Sequence, residues 1–235
     1  MHKIEIPEAT RQRTIAWAGR EHMFEDIDPK KTAHIIVDLQ NGFMAPGALV
    51  EIPEAREVVP NVNRISAALR AAGGLNVFVH YMVDPATLTS WSCFFEKFQT
   101  PERRKAMNET FSKGAEGYQL WPALEVKDGD LKVDKTRFGA FVPGSSNLHE
   151  ILQARGIDTL IITGTATNVC CESTARDAMQ MNYQVIFVAD GCATNSDAEH
   201  NAALNAMMAL FCDVMTTDKV VDTLRRRATA KVAAE

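Results

Sequence analysis

Cys170 and Cys171 stand in the stretch LIITGTATNVCCESTARDA, residues 160–178. An apolar, β-branched run breaks there at Gly164, crosses a short polar turn and enters a helix with Cys170 in its first turn. A thiol in that position has backbone N–H groups and the positive end of the helix dipole beside it, which favour a thiolate nucleophile. Two further groups close apolar strands: Asp38 ends AHIIVD (33–38) and Lys135 ends GDLKVDK (129–135). A thiol with an ordinary pKa of about 8.5 needs a base to take its proton and a cation to offset the charge that forms. Asp38 suits the first task and Lys135 the second. Each residue alone has a plain structural explanation: a packed helical Cys, an acid that caps a turn, a solvated Lys. Their joint position at one edge of one sheet carries the chemical reading. It is attack by Cys170 on a carbonyl, expulsion of an amine or ammonia, and hydrolysis of a thioester-type intermediate by water. The backbone N–H groups of the Thr165–Cys170 turn are placed to stabilise the developing oxyanion.

The elements that must bring these residues together alternate in type. Strands are expected at 33–38, 76–81, 129–135, 158–163, 183–190 and 213–217, with helices near 55–72, 145–155, 169–181 and from the Ser196 capping box through Phe211. A final helix follows the sixth strand. The pattern predicts an α/β fold: one doubly wound domain, with a six-stranded parallel sheet and helices on both faces. Sites in such sheets lie beyond the carboxyl ends of the strands. Residues 1–30 read as an N-terminal extension packing through Ile15, Trp17 and Phe24, and residues 31–235 as the domain. A helical excursion at about 84–125 breaks the rhythm. It carries Trp91, Phe94, Phe95, Phe98, Phe111, Tyr118 and Trp121 around the charged segment PERRKAMNE. Edge cover, a subunit contact and a lid over the site all fit it.

Composition narrows the function classes. The 235 residues carry a formal charge of −5, against a polyanion-binding surface, and the basic run Arg225–Arg227 suits a helix end better than nucleic acid. Five scattered cysteines make no disulfide framework, and no stretch has the length of a signal peptide core or a membrane span. The expectation is a cytoplasmic protein without nucleic-acid or membrane partners. No G-x-G-x-x-G follows the first strand and no P-loop appears, which disfavours nucleotide binding.

Three segments, VDLQNGF with Asp38, VDKTRFGAF with Lys135 and GTATNVCCESTARDA with Cys170, resemble the signature regions of the isochorismatase-like cysteine hydrolases. The resemblance covers roughly residues 32 to 224. It implies a catalytic triad of Asp38, Lys135 and Cys170, a homodimer or homotetramer, and a cis peptide at Thr165–Ala166. It also implies an oxyanion hole made by the N–H groups of Ala166 and Cys170, with Cys171 as buried packing. Isochorismatases proper lack the nucleophilic Cys. Nicotinamidases add an Asp-x-His…His metal site, where this chain reads VHYMVDPATL with a single His. No metal and no cofactor are therefore expected, and His80 is expected as a hydrogen-bonded wall residue. The branch containing N-carbamoylsarcosine amidase, biuret hydrolase and ureidoacrylate amidohydrolase fits better. It implies a metal-independent amidohydrolase cutting a C–N bond of a small ureido or amide substrate. Ureidoacrylate amidohydrolase reads its substrate with Asn and Trp after the second strand, where Tyr81 and Val83 stand here, so the reaction transfers more firmly than the substrate. Candidate substrate contacts are Asn41, Phe43, Tyr81, Trp91 and Phe138. The alternatives are a nicotinamidase-like amidase and a catalytically silent family member acting as a binding or scaffold subunit.

Overall fold

The computed structural model describes residues 1–232. In chain order the elements are α1 (Glu8–Ala18), β1 (Thr32–Val37), α2 (Asn41–Met44), α3 (Val59–Ala71), β2 (Leu75–Tyr81), α4 (Pro85–Ser90) and α5 (Pro101–Phe111). There follow β3 (Leu131–Lys135), α6 (Leu148–Ala154), β4 (Thr159–Thr165), α7 (Glu172–Gln180), β5 (Gln184–Ala193), α8 (Asp197–Ala206), β6 (Asp213–Met215) and α9 (Thr217–Val232). The strands form one parallel sheet in the order β3-β2-β1-β4-β5-β6. No helix among the described residues is long and apolar enough to cross a membrane.

Both central strands are buried along their whole length, which is why they read as continuous apolar runs. Successive side chains point to opposite faces. Ile35, Val37, Leu160 and Ile162 meet Leu148 and Leu152 of α6, Ala175 and Ala178 of α7 and Leu204 of α8 on one side. Ile161, Ile186 and Val188 meet Ile65 and Leu69 of α3 and Val220, Val221 and Leu224 of α9 on the other. The helix expected at 55–72 begins later, because Pro53–Arg56 forms a separate tight turn ahead of it. The helix expected from Ser145 begins at Leu148, because the Ser145 hydroxyl is taken by Gly139 O (3.0 Å) and Arg137 N (3.2 Å).

One close approach governs the site end of the sheet. Gly164 of β4 has φ 126°, and a Cβ there would lie 2.1 Å from the carbonyl oxygen of Val37. Backbone meets backbone at this point, so no side chain can yield. Gly164→Ala is expected to cost about 3 kcal/mol or more of stability, read as a lowered urea midpoint at unchanged slope.

Residues 1–30 wrap the domain differently from expectation. Helix α1 docks through Thr10 and Thr14, whose hydroxyls donate to Asn205 Oδ1 (2.5 Å) and Met208 O (3.1 Å). Trp17 is 69% exposed and Ile15 only half-buried, so the polar face won over the apolar one. Phe24 does pack, against the α9 side of the sheet. The excursion forms α4, a wide turn at Cys93–Lys97, α5 and a short turn at Glu116–Tyr118. Tyr81, Val83, Phe95, Met107 and Phe111 form its core, with Phe43, Trp91 and Phe94 packed around them.

Candidate active site

The three reactive residues come from three strands at their carboxyl ends. Asp38 follows β1, with φ 54°, a left-handed conformation that Asp adopts more readily than most residues. Its N–H donates to Val79 O at 2.9 Å, which fastens the strained residue to β2. Lys135 closes β3 on the far side of β2. Its ammonium reaches across to Asp38, with Nζ 2.7 Å from Oδ2, and both side chains are 0% exposed. Lys135 Nζ also donates to Arg137 O (3.0 Å) and lies over the Tyr81 ring at 5.1 Å. Cys170 enters from the turn after β4, is 5% exposed, and lies close enough to Asp38 and Lys135 for both charges to act on its thiol. Cys171 is fully buried beside Cys192.

Burial sets the protonation states. It pushes the Cys170 thiol well above its ordinary pKa; the Asp38 charge adds to that rise and Lys135 opposes it. Burial also raises Asp38, against the pull of Lys135. For Lys135 burial acts to lower the pKa, but the charges of Asp38 and Cys170 hold it above the usual value. A helix start alone favours a thiolate. Desolvation of a group this deeply buried outweighs it, and the resting nucleophile is a neutral thiol beside a charged Lys.

The Thr165–Ala166 peptide is cis. The turn that follows, Thr167–Cys171, is wider than an α-helical turn: Val169 and Cys171 both donate to the Ala166 carbonyl, at 3.1 and 3.2 Å. The N–H groups of Ala166 and Cys170, which the resemblance names for the oxyanion, bracket Thr167, Asn168 and Val169 of this turn.

A cavity of about 370 Å³ opens onto Cys170 and Ala166. Phe43, Tyr81 and Phe138, three of the expected substrate contacts, line it together with Phe94. Two expected contacts do not. The Asn41 amide donates to the carbonyl (3.2 Å) and carboxylate (2.9 Å) of Glu116, so it ties the excursion down instead of facing substrate. Trp91 stacks behind Phe94 at 4.5 Å and meets Phe138 edge-on at 4.8 Å, buttressing the wall from outside. The excursion is thus part of the site. It contributes Gln99, Arg103 and Met107, none of which the sequence singled out, and Asn195 joins from the loop after β5. Only Asn195 carried a signal, its place beyond a strand's carboxyl end. Three polar groups of the lining lack partners: the Tyr81 hydroxyl, Gln99 Oε1 and, among the described residues, the Arg103 guanidinium.

Among the described residues no three His, Cys, Asp or Glu side chains are placed to share a metal ion. His80 departs from its expected role. It stacks on Tyr118 at 5.0 Å with Nδ1 unpartnered and lines a separate cavity beside Trp121 and Lys132. Burial lowers its pKa to about 4, so it is neutral at physiological pH.

A family model for the isochorismatase domain matches residues 32–219. The uncharacterized isochorismatase family protein YwoC of Bacillus subtilis (strain 168) is 34% identical over 200 residues, spanning 85% of this chain and 97% of YwoC. The ureidoacrylate amidohydrolase RutB of Pseudomonas savastanoi pv. phaseolicola is 30% identical over 210 residues, 84% of this chain and 85% of that protein. Among solved structures, N-carbamoylsarcosine amidase from Thermoplasma acidophilum superposes with a TM-score of 0.63 at 26% identity, covering 80% of this chain and 96% of that one.

Proposed function

The chain belongs to the isochorismatase domain family, and from that premise we propose that it is a cysteine amidohydrolase cleaving a C–N bond of a small ureido or amide acid. The observation that carries the reading is the fully buried Asp38–Lys135 pair in contact with the Cys170 thiol. In this mechanism the Cys170 sulfur attacks the carbonyl carbon as its proton passes to Asp38. The carbonyl electron pair moves to oxygen, which meets the N–H groups of Ala166 and Cys170. When the carbonyl re-forms, the C–N bond breaks and the leaving nitrogen takes the proton from Asp38. A water then attacks the thioester-type carbon and gives its proton to Asp38. The C–S bond breaks and the thiol is restored. Lys135 stays charged throughout and offsets the carboxylate. No step is assigned to a metal or cofactor.

The cavity supports the choice of substrate class. Aromatic walls suit a flat, conjugated group such as a ureido or amide plane. Gln99 Oε1 is a free acceptor for a substrate N–H, and the Tyr81 hydroxyl, kept protonated by burial, is a free donor. The unpaired Arg103 guanidinium suits a carboxylate. The similarity to ureidoacrylate amidohydrolase and N-carbamoylsarcosine amidase points the same way.

The test is ammonia release from ureidoacrylate, N-carbamoyl amino acids, biuret, nicotinamide and maleamate. Turnover of the acids above the uncharged amides supports the proposal, and silence on the whole set overturns it. Arg103→Gln is expected to raise KM for the acid by about 10- to 100-fold, the worth of one charged hydrogen bond, while kcat changes little. An unchanged KM removes Arg103 from substrate recognition.

A further inference from the structure

The first six residues lie against α8 and are fastened to it. Lys3 N donates to Asp197 Oδ1 (3.3 Å), Glu5 N to Asn201 Oδ1 (2.6 Å), and Asn201 Nδ2 returns a bond to Lys3 O (2.8 Å). Ile4 and Ile6 pack on the main core. His2 is buried at 8% exposure and stacks on His200, ring centroids 4.5 Å apart and 19° from parallel.

We infer that this N-terminal strap holds the oxyanion turn in its working shape, with His2 as a positioning residue. The connection runs through named bonds. His200, 0% exposed, donates from Nε2 to Ala189 O (3.0 Å), so its Nδ1 is the acceptor for the Thr167 hydroxyl (2.9 Å). On His2, Nδ1 donates to Asp197 Oδ1 (2.8 Å), so Nε2, which lies 3.1 Å from both the N–H and the carbonyl oxygen of Thr194, is the acceptor for the N–H. The Thr194 hydroxyl donates in turn to Asn168 Oδ1 (2.7 Å). Thr167 and Asn168 directly follow Ala166, between the two N–H groups of the proposed oxyanion hole. Each is therefore held by a residue that His2 covers or bonds: Thr167 by His200, and Asn168 by Thr194, whose main chain His2 bonds.

Losing His2 uncovers one face of His200 and leaves the Thr194 N–H without its acceptor. The two oxyanion donors then lose their fixed spacing, and preorganised donors are worth most when they need not move during the reaction. Substrate-binding groups on the excursion are untouched. The loss should therefore fall on kcat.

The catalytic part of this inference rests on the cysteine-hydrolase reading, so its test has two separate readouts. The first needs no turnover: hydrogen exchange over residues 164–172 in His2→Ala and in the chain lacking residues 1–6. About tenfold faster exchange there, with the β1 and β2 amides unchanged, is expected; unchanged exchange overturns the inference whatever the enzyme does. The second readout is kinetic. On a substrate the intact protein turns over, kcat is expected to fall by about 10- to 100-fold, of the order of a lost oxyanion donor, with KM within about twofold. The effects of His2→Ala and Thr167→Val on kcat should be far from additive. A lower melting midpoint with kcat preserved, or strictly additive effects, would mean the strap only stabilises the fold. If the shortened chain does not fold, His2→Ala alone decides.

Discussion

On the proposed mechanism, replacing Cys170 with alanine is expected to abolish ammonia release, by about 10⁵-fold or more, because no other group can form the acyl intermediate. The folded state should survive. The lost sulfur is one small buried atom of a neutral thiol, and its removal leaves the Asp38–Lys135 pair intact. The expected stability change is within about 1–2 kcal/mol. Mass spectrometry of the protein mixed with substrate should trap an adduct on the wild-type thiol and none on the variant. The neighbouring Cys171→Ala is the internal control. Cys171 is fully buried beside Cys192, so its replacement should leave kcat near normal. Near-normal turnover by Cys170→Ala would remove the nucleophile from the mechanism.

Lys135→Met is expected to be nearly as damaging, and by a different route. Lys135 and Asp38 are both fully buried and 2.7 Å apart. Deleting the cation leaves the Asp38 carboxyl buried without its partner, so the fold must hold it protonated, and breaking such a pair from one side costs about 3–5 kcal/mol. Asp38 already has a raised pKa, with Lys135 pulling against burial. Without that pull the pKa climbs further and the acid is protonated at neutral pH. A protonated Asp38 cannot accept the thiol proton, so activity should drop by about 10³-fold or more. The sign of the pH dependence follows. Residual activity should rise toward alkaline pH as Asp38 ionises, whereas the stability deficit should grow from the ordinary carboxylate range upward and level off once Asp38 ionises, because over that window the fold keeps a proton that the unfolded chain gives up. Asp38→Asn combined with Lys135→Met removes both charges. That double variant should regain much of the stability of the wild type and none of its activity. A single Lys135→Met variant with wild-type stability and rate would contradict the pairing described here.

The sheet and the reactive residues were legible because both follow from position along single strands. Continuous apolar runs alternating with helical periods give a parallel sheet, and Asp38, Lys135 and Cys170 each sit at a strand end. The resemblance supplied the place of the cis peptide. What escaped depends on long-range packing. Asn41 was a fair candidate until Glu116, from the far end of the excursion, claimed its amide. Trp91 had the right neighbourhood but faces Phe94 and Phe138 from behind. Gln99, Arg103 and Met107 have no sheet register to place them. The protonation state of Cys170 turns on how deeply it is buried, and residue type and spacing carry no measure of that. The N-terminal segment was misread for a related reason: its apolar residues suggested Trp17 as an anchor, while hydroxyl bonds from Thr10 and Thr14 dock α1.

The excursion at 84–125 separates two tasks within one chain. On the proposed reading the bond-breaking groups stand at the sheet ends, while Phe94, Gln99, Arg103 and Met107 come from a segment outside the sheet. A change in that segment can alter which molecule is admitted without moving the groups that cut it. The protein is in this sense a fixed cutting edge with an exchangeable guide. Transplanting the guide from a relative is a direct way to retarget the enzyme, and Glu116 must travel with it, because its grip on Asn41 joins the two parts.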